Sequence, residues 1–347
     1  MTTSGQPLRF HPDGHFRILM VSDFHGGTHH NPKLTQALDA LIAHADPDLV
    51  LVGGDTVAGG MFDEINEESL YEYLTEVMAP ITSRNIPWAH IYGNHDGESG
   101  MSNAAQQPVF ERIPGCLSSA GPDDISGVGN YVLPILASGS DDVAYHVFAL
   151  DSHREYTDYI NRFGLPADTK IRLEHPMCSG SVQAGPMFDQ VMWYYQTSCD
   201  AEQKAGHKIP AVMYMHVPLP EHFHAARNPE DTHLRGAKRE AVCCSELNSG
   251  LFAACLQRGD VRGIFCGHEN YCDYQAEYCG ITLAYDGALG FDMSAHDDLR
   301  GGRIIDLSED GTMKTHQVRL MDLIGIAAMR DPGFFEGGDK YYVRIRN

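Results

Sequence analysis

The chain is poor in positive charge: 25 Lys and Arg stand against 47 Asp and Glu, a formal net charge of -22 over 347 residues. A surface of that sign repels polyanions, which excludes nonspecific binding to nucleic acid or to an anionic membrane surface. It also means that a site for phosphate compounds must draw positive charge from a source other than lysine, and bound metal ions are one such source. No run approaches the roughly 20 apolar residues that span a bilayer. The opening stretch MTTSGQPLRFHPDGHF lacks a basic segment followed by an apolar one, so no secretory leader is expected. The nine cysteines are odd in number and irregularly placed. Cys243-Cys244 and the group Cys266, Cys272 and Cys279 lack the C-x-x-C spacing of a zinc ribbon. They read as buried or free thiols in a reducing, cytoplasmic setting. No G-x-G-x-x-G follows the first strand-like run, which disfavours a dinucleotide oxidoreductase. Internal repeats and low-complexity segments are also absent.

What is there is a well-patterned globular chain with 43% hydrophobic residues. FRILMVSD (16–23), DLVLVGGD (48–55) and IPWAHIYGNHD (86–96) are apolar runs that close in polar clusters, as buried strands do. Between them, residues 33–45 and 68–81 carry apolar side chains at helical spacing. The first hundred residues therefore read β-α-β-α-β. Further on, 129–138 and 144–152 predict strands that can pair. Residues 187–203 and 246–260 predict helices, and 209–224 a strand broken at Pro218 and Pro220. Residues 261–268, 281–286, 302–307 and 313–320 predict successive strands. Residues 1–15 read as a loose lead-in, 16–320 as one domain, and 321–347 as a weakly patterned C-terminal extension.

Five of the apolar runs end in groups able to bind a metal: Asp23-Phe24-His25, Gly54-Asp55, Gly93-Asn94-His95-Asp96, Met215-His216 and Gly267-His268. Singly each has an ordinary explanation, since a histidine after a strand is more often a satisfied hydrogen-bonder and Gly-Gly-Asp is a common turn. As an ordered set they are specific, because open α/β sheets gather ligands at the carboxyl ends of their strands. Imidazole, carboxylate and amide oxygen together suit Zn, Fe or Mn better than Ca or a thiolate site. A carboxylate shared between two ions roughly 3.5–4 Å apart would serve displacement at phosphorus.

In this order, D-x-H, G-D, G-N-H-D, H and G-H resemble the calcineurin-like metallophosphoesterase family. The stretches HVPLPEHF, NSGLFAACLQRGDVRGIFCGH and RGGRIIDL resemble its branch of purple-acid-phosphatase-like and yeast Dcr2-like phosphatases. The resemblance covers roughly residues 16 to 308. It implies an α/β (α+β) fold, a two-sheet β-sandwich flanked by helices in four αββα layers, with two metal ions at the strand ends. Asp23 and His25 would bind the first metal, and Asp55 would bridge both. Asn94, His216 and His268 would bind the second. His95 would face the phosphate and protonate the leaving oxygen after in-line attack by metal-bound hydroxide. Asp96 would hold His95 in place, or else simply cap a helix.

Two departures stand out. The family's last motif is normally G-H-x-H, and here Asn270 occupies the final place, so a weakened first metal site is expected. No tyrosine follows Gly54-Asp55, where Thr56, Val57 and Ala58 stand, so no iron-tyrosinate colour is expected. His222 and Arg227, with Glu221 and His224, could line a substrate pocket, Arg227 pairing with phosphate; ordinary loop residues are the alternative. The same ambiguity attaches to His29 and His30. Asp151 reads as structural, and Tyr271, Tyr274 and Tyr285 read first as core. The expected substrate is a small-molecule or peptide phosphomonoester. The alternatives are a phosphodiester, such as a cyclic nucleotide or lipid headgroup, and a low-turnover phosphate-ligand binding role that follows from Asn270.

Overall fold

The structure, a computed structural model, describes residues 7–28, 30–57, 64–166, 183–292 and 295–325. Two sheets form its centre. The first has the order β11-β10-β1-β2-β3, built from β1 (His15–Val21), β2 (Leu49–Val52), β3 (Trp88–His90), β10 (Gly301–Ser308) and β11 (Met313–Arg319). The second has the order β4-β5-β6-β7-β9-β8, from β4 (Tyr131–Leu136), β5 (Val143–Ala149), β6 (Ala211–Met215), β7 (Val261–Cys266), β8 (Gln275–Tyr278) and β9 (Ile281–Tyr285). β1, β2 and β3 run parallel, as do β5, β6, β7 and β9, while β10 returns antiparallel beside β1. The helices are α1 (Pro32–Ala45), α2 (Glu67–Val77), α3 (Ala79–Thr82), α4 (Asn103–Glu111), α5 (Tyr156–Phe163), α6 (Phe188–Ala205), α7 (Pro220–Arg227), α8 (Leu251–Arg258) and α9 (Leu320–Ile324).

Period-two alternation sorts the strand side chains between layers. Ile18 and Met20 of β1 enter the core between the sheets, where they join Leu49, Leu51, Val147, Val212, Tyr214 and Phe265. Leu19 and Val21 point the other way, into a second core with Leu34, Leu38 and Leu41 of α1 and Leu70 and Leu74 of α2. On the far side, Met213, Met215 and Ile264 pack against Tyr194 of α6 and Leu251, Phe252 and Cys255 of α8. Strands buried on both faces have no polar side to show, which is why they read as continuous apolar runs. The result is a sandwich of two sheets with helices outside each, the four-layer arrangement expected.

Some local expectations change. Leu8 and Phe10 are buried in the inter-sheet core and Arg9 bridges Leu136, so the described part of the lead-in is packed rather than loose. The helix expected over 68–81 divides at Met78, with Pro80 at the start of its second part. After Pro218 the chain forms α7, its first turn accommodating Pro220, where proline lacks a donor the helix would not use. Helices α4 and α5 and strand β8 were not legible in the pattern. Most of the C-terminal extension, residues 326–347, lies outside the described residues, as do His29 and Ala58. No helix among the described residues is long and apolar enough to cross a membrane.

Candidate metal centre

The carboxyl ends of β1, β2 and β3 in one sheet, and of β6 and β7 in the other, bring their polar clusters to one place. Asp23, His25 and Asp55 offer ligand atoms within 4.8 Å of one another, and so do Asp55, His216 and His268. Asp55 is common to both groups. Its Oδ2 lies 3.8 Å from His25 Nε2 and 3.1 Å from His216 Nε2. Asn94 joins the second group, with Oδ1 2.8 Å from His268 Nδ1 and 3.2 Å from His216 Nε2. Asp23, His25, Asp55 and His216 are almost fully enclosed.

The backbone is bent to make this possible. Asp23, His25, Asp55 and His268 all have left-handed φ values, 55°, 49°, 49° and 78°. Non-glycine residues seldom adopt that region, and where they do the surrounding structure must impose it. Glycine is needed where the loops touch. A Cβ on Gly93 would collide with the carboxylate of Asp55, and one on Gly54, itself at φ 95°, would stand 2.6 Å from His216 Nδ1.

The protonation states fit cation binding. His216 Nδ1 is 2.8 Å from the Gly53 carbonyl, an arrangement that puts the proton there and leaves Nε2 for a ligand. Burial opposes charge on Asp55, but His216, His95 and His25 outweigh it and hold the carboxyl well below the usual range. Burial likewise opposes charge on Asp23, and the neighbouring His25 and His216 prevail. Burial pushes His268 down to about 3, so its imidazole is neutral, as a metal ligand must be. His216 differs: burial works against its charge, yet Asp55 and Asp23 raise it to about 10, so without a cation Nε2 carries a proton that a bound metal would have to displace. His25 Nδ1 is buried without a hydrogen bond, and His25 Nε2 and Asp23 Oδ1, also buried, face each other only at 3.5 Å, without a hydrogen bond between them. Such atoms are costly unless something absent from the polypeptide meets them. The donor set and these orphaned atoms fit a pair of cations sharing Asp55.

Asn270 sits in the turn after β7 with its Oδ1 enclosed and without a hydrogen-bond partner. Asp96 is not where the sequence suggested. Its Oδ2 accepts from the amides of Asp55, at 2.9 Å, and Gly93, at 2.6 Å, and its Oδ1 from Val57 at 2.9 Å. It therefore braces the loops that carry Asp55 and Asn94, and a carboxylate saturated by three amides is not the partner of the His95 ring. That place belongs to Glu98, whose Oε2 is 2.8 Å from His95 Nδ1. Arg154, entering after β5, donates to the Asn94 carbonyl at 3.1 Å and pairs with Glu98 at 3.3 Å. Glu98 had a faint signal, three residues after His95; Arg154 had none, because only the approach of the second sheet brings it there.

His222 is a second correction. Its ring is fully buried, accepts from the Leu219 amide at 3.2 Å, and packs against Cys266 and Tyr285. Burial lowers it to about 3, and it belongs to the core under α7 rather than to a substrate pocket. Arg227 is exposed in the last turn of α7, its guanidinium over the Phe223 ring at 5.5 Å. Glu221 accepts from Asn248, and the Asp151 carboxylate from the amides of Val128 and His153, both structural contacts. Tyr274 and Tyr285 lie in the outer core of the second sheet, and Tyr271 stands edge-on to His296. Ser22 carries no signal in the sequence pattern, and Asp286 only its place at a strand end. The Ser22 hydroxyl bridges Asp23 Oδ2 and Asp286 Oδ1, and Asp286 closes β9 as the ligands close their strands.

Comparison with known proteins agrees with this geometry. The family model described as calcineurin-like phosphoesterase matches residues 16–272. A relative from Arabidopsis thaliana, "Probable inactive purple acid phosphatase 14", is 30% identical over 312 residues, covering 82% of this chain and 73% of that protein. "Phosphatase DCR2" of Saccharomyces cerevisiae is 25% identical over 297 residues, 78% of this chain. The alignment spans only 47%, about half, of that yeast protein. Among solved structures, a dimetal phosphatase from Danio rerio superposes with a TM-score of 0.54 at 13% identity, covering 86% of this chain and 98% of the other, a likeness of fold.

Proposed function

The chain belongs to the calcineurin-like phosphoesterase family, and from that premise we propose that it hydrolyses a phosphomonoester at a two-metal centre. The observation that carries the reading is the double cluster around Asp55, three ligand residues on each side with Asp55 in both. Asp23, His25 and Asp55 would hold one ion, with the Asn270 amide oxygen as a neutral further donor. Asp55, Asn94, His216 and His268 would hold the other. Zn, Fe and Mn are the cations that such mixed ligands suit. When bound, the ions supply positive charge against the phosphoryl oxygens and lower the pKa of a water. That charge matters in a chain of net -22.

The remaining chemistry belongs to the protein. His95 stands beside the first group, its ring 5.6 Å from that of His25 and its backbone amide donating to Asp55 Oδ1 at 2.8 Å. Its assigned work is to protonate the leaving oxygen. Burial disfavours its charge, but Asp55 and Glu98 overcome this and raise it above an ordinary histidine, the direction that favours the acid form. A cytoplasmic location goes with this reading; the buried thiols of Cys255, Cys266 and Cys272 suit a reducing compartment.

A second reading, tight phosphate binding with little turnover, draws on one residue. Asn270 places a neutral amide where a stronger imidazole ligand is expected, and the Arabidopsis relative is named as probably inactive. Metal analysis with a phosphate-ester screen, on this chain and on Asn270→His, separates the two. The phosphatase reading expects two ions per chain and turnover of 4-nitrophenyl phosphate well above that of its bis-ester, with occupancy and rate rising in Asn270→His. Strong preference for the diester would replace it with a phosphodiesterase. Phosphate binding without turnover in both proteins would leave the binding role.

A further inference from the structure

His95 has one ring nitrogen engaged and one open. Nδ1 meets Glu98 Oε2 at 2.8 Å, and no hydrogen bond to Nε2 is found among the described residues. The side chain remains 31% exposed, so the open edge can meet a ligand or solvent. The carboxylate is not there by chance of a flexible surface. Asp96–Glu98 forms a 3-10 turn, in which residues three apart lie over one another, so Glu98 stands above His95.

The second oxygen of Glu98 is also held. Arg154 pairs with Oε1 at 3.3 Å, donates through Nε to the Asn94 carbonyl at 3.1 Å, and through Nη1 to the Gly97 carbonyl at 3.3 Å. One guanidinium thus ties the backbone on both sides of His95 and the carboxylate that grips its ring. Asp55 fixes the amide of His95 itself.

We propose that Glu98, braced by Arg154, is the positioning residue for His95: it takes the Nδ1–H hydrogen bond and so makes Nε2 the atom that delivers a proton. The inference rests on the phosphoesterase reading above. As the water oxygen bonds phosphorus, the bond from phosphorus to the leaving oxygen breaks with its electron pair on that oxygen. The Nε2–H bond breaks and the proton moves there. The Nδ1 proton stays on the ring, which ends neutral and regains its Nε2 proton from solvent through the exposed edge. Glu98 touches no reacting atom in this scheme and acts only through His95.

The test uses the metal-loaded protein with Glu98→Ala and Glu98→Gln, each assayed on an alkyl phosphate and on 4-nitrophenyl phosphate. An alkoxide leaves poorly without a proton and a nitrophenolate leaves well, so the loss should depend on the leaving group. General acid catalysis is worth about 100- to 10,000-fold. Glu98→Ala is expected to lower kcat on the alkyl ester by at least about 30-fold, less than the full range because the His95 ring remains, and on the nitrophenyl ester by less than about 5-fold. Glu98→Gln keeps an acceptor for Nδ1–H and should recover much of the alkyl-ester loss. The 15N spectrum of the neutral His95 ring should show the Nδ1–H tautomer in the native chain and a mixture in Glu98→Ala. Equal losses on both esters, or an Nε2–H tautomer in the native protein, would overturn the proposal. Should no ester be turned over at all, the phosphoesterase reading fails, and the tautomer still decides whether Glu98 positions the ring.

Discussion

Asp96 offers the sharpest test of how the centre is built. The perturbation is Asp96→Asn, which keeps the size and removes one acceptor oxygen. In the native chain Oδ2 serves the amides of Asp55 and Gly93, and Oδ1 serves Val57. The residue is fully buried, so no water can take over. The Asn amide can present its oxygen to Asp55 and Gly93, and its NH2 then faces the Val57 N–H. Two donors are left unmet, each costing about 1–3 kcal/mol, and the expected destabilisation is about 2–6 kcal/mol. Asp96→Ala strips all three amides and should cost more. The assay is chemical denaturation of metal-stripped protein, read as the midpoint at unchanged slope. Metal uptake should also weaken, because the amides released are those beside Asp55 and Asn94. A change under about 1 kcal/mol, the size of an ordinary surface substitution, would refute the bracing role. A full loss of the His95 acid function with stability unchanged would restore Asp96 to the role first expected from the sequence.

Other outcomes follow from the same geometry. In metal-stripped protein, His216 is raised to about 10 by Asp55 and Asp23 despite burial. A raised histidine contributes stability that is full below its unfolded value near 6.5 and is lost as pH climbs toward the folded value. The melting midpoint should therefore fall between about pH 6.5 and 10, and metal loading, which requires neutral imidazole, should blunt or reverse that slope; a rising midpoint without metal would contradict the pairing. Gly93→Ala forces a Cβ against Asp55 and should cost about 1–3 kcal/mol with lost metal uptake, measured by calorimetry. Arg303 is buried and donates to Tyr285 and Asp273 carbonyls and to Gln275, tying β10 of one sheet to the β8–β9 edge of the other. Arg303→Leu should cost about 2–5 kcal/mol by denaturation, since those acceptors lose their donors inside the protein.

The candidate ligand positions are legible because a buried parallel strand has a simple signature. FRILMV, LVLV and the run ending in Met215 are apolar on both faces, and the first polar group after each is where the chain leaves the sheet. That ground picks out Asp55, His216 and His268 directly, while Asp23 stands behind Ser22 and Asn94 ends a run that already contains His90, so their candidacy rests on the resemblance. Local pattern does not decide between two neighbours to which one side chain can turn. Asp96 beside His95 was paired with the ring, but three unpaired amides at the loops of Gly93, Asp55 and Val57 are a stronger claim on a buried carboxylate than one imidazole. His222 follows a ligand strand by six residues, yet α7 turns it inward onto Cys266 and Tyr285.

What the sequence determined by itself was most of the strands and helices, the shortage of cationic side chains, and the candidate ligands at the strand ends. Each of these depends on local periodicity or on residue type at a fixed place. Only the tertiary structure decided that Glu98 and not Asp96 holds His95, and which residue reaches it from the second sheet. The His95–Glu98 contact is itself local, three residues apart, but the contacts that settle it are not: Asp96 is drawn away to Asp55, 41 residues back, and Arg154 reaches Asn94 across 60. Their pairing is set by the packing of two sheets and by the competition of buried donors for acceptors, which no local pattern records.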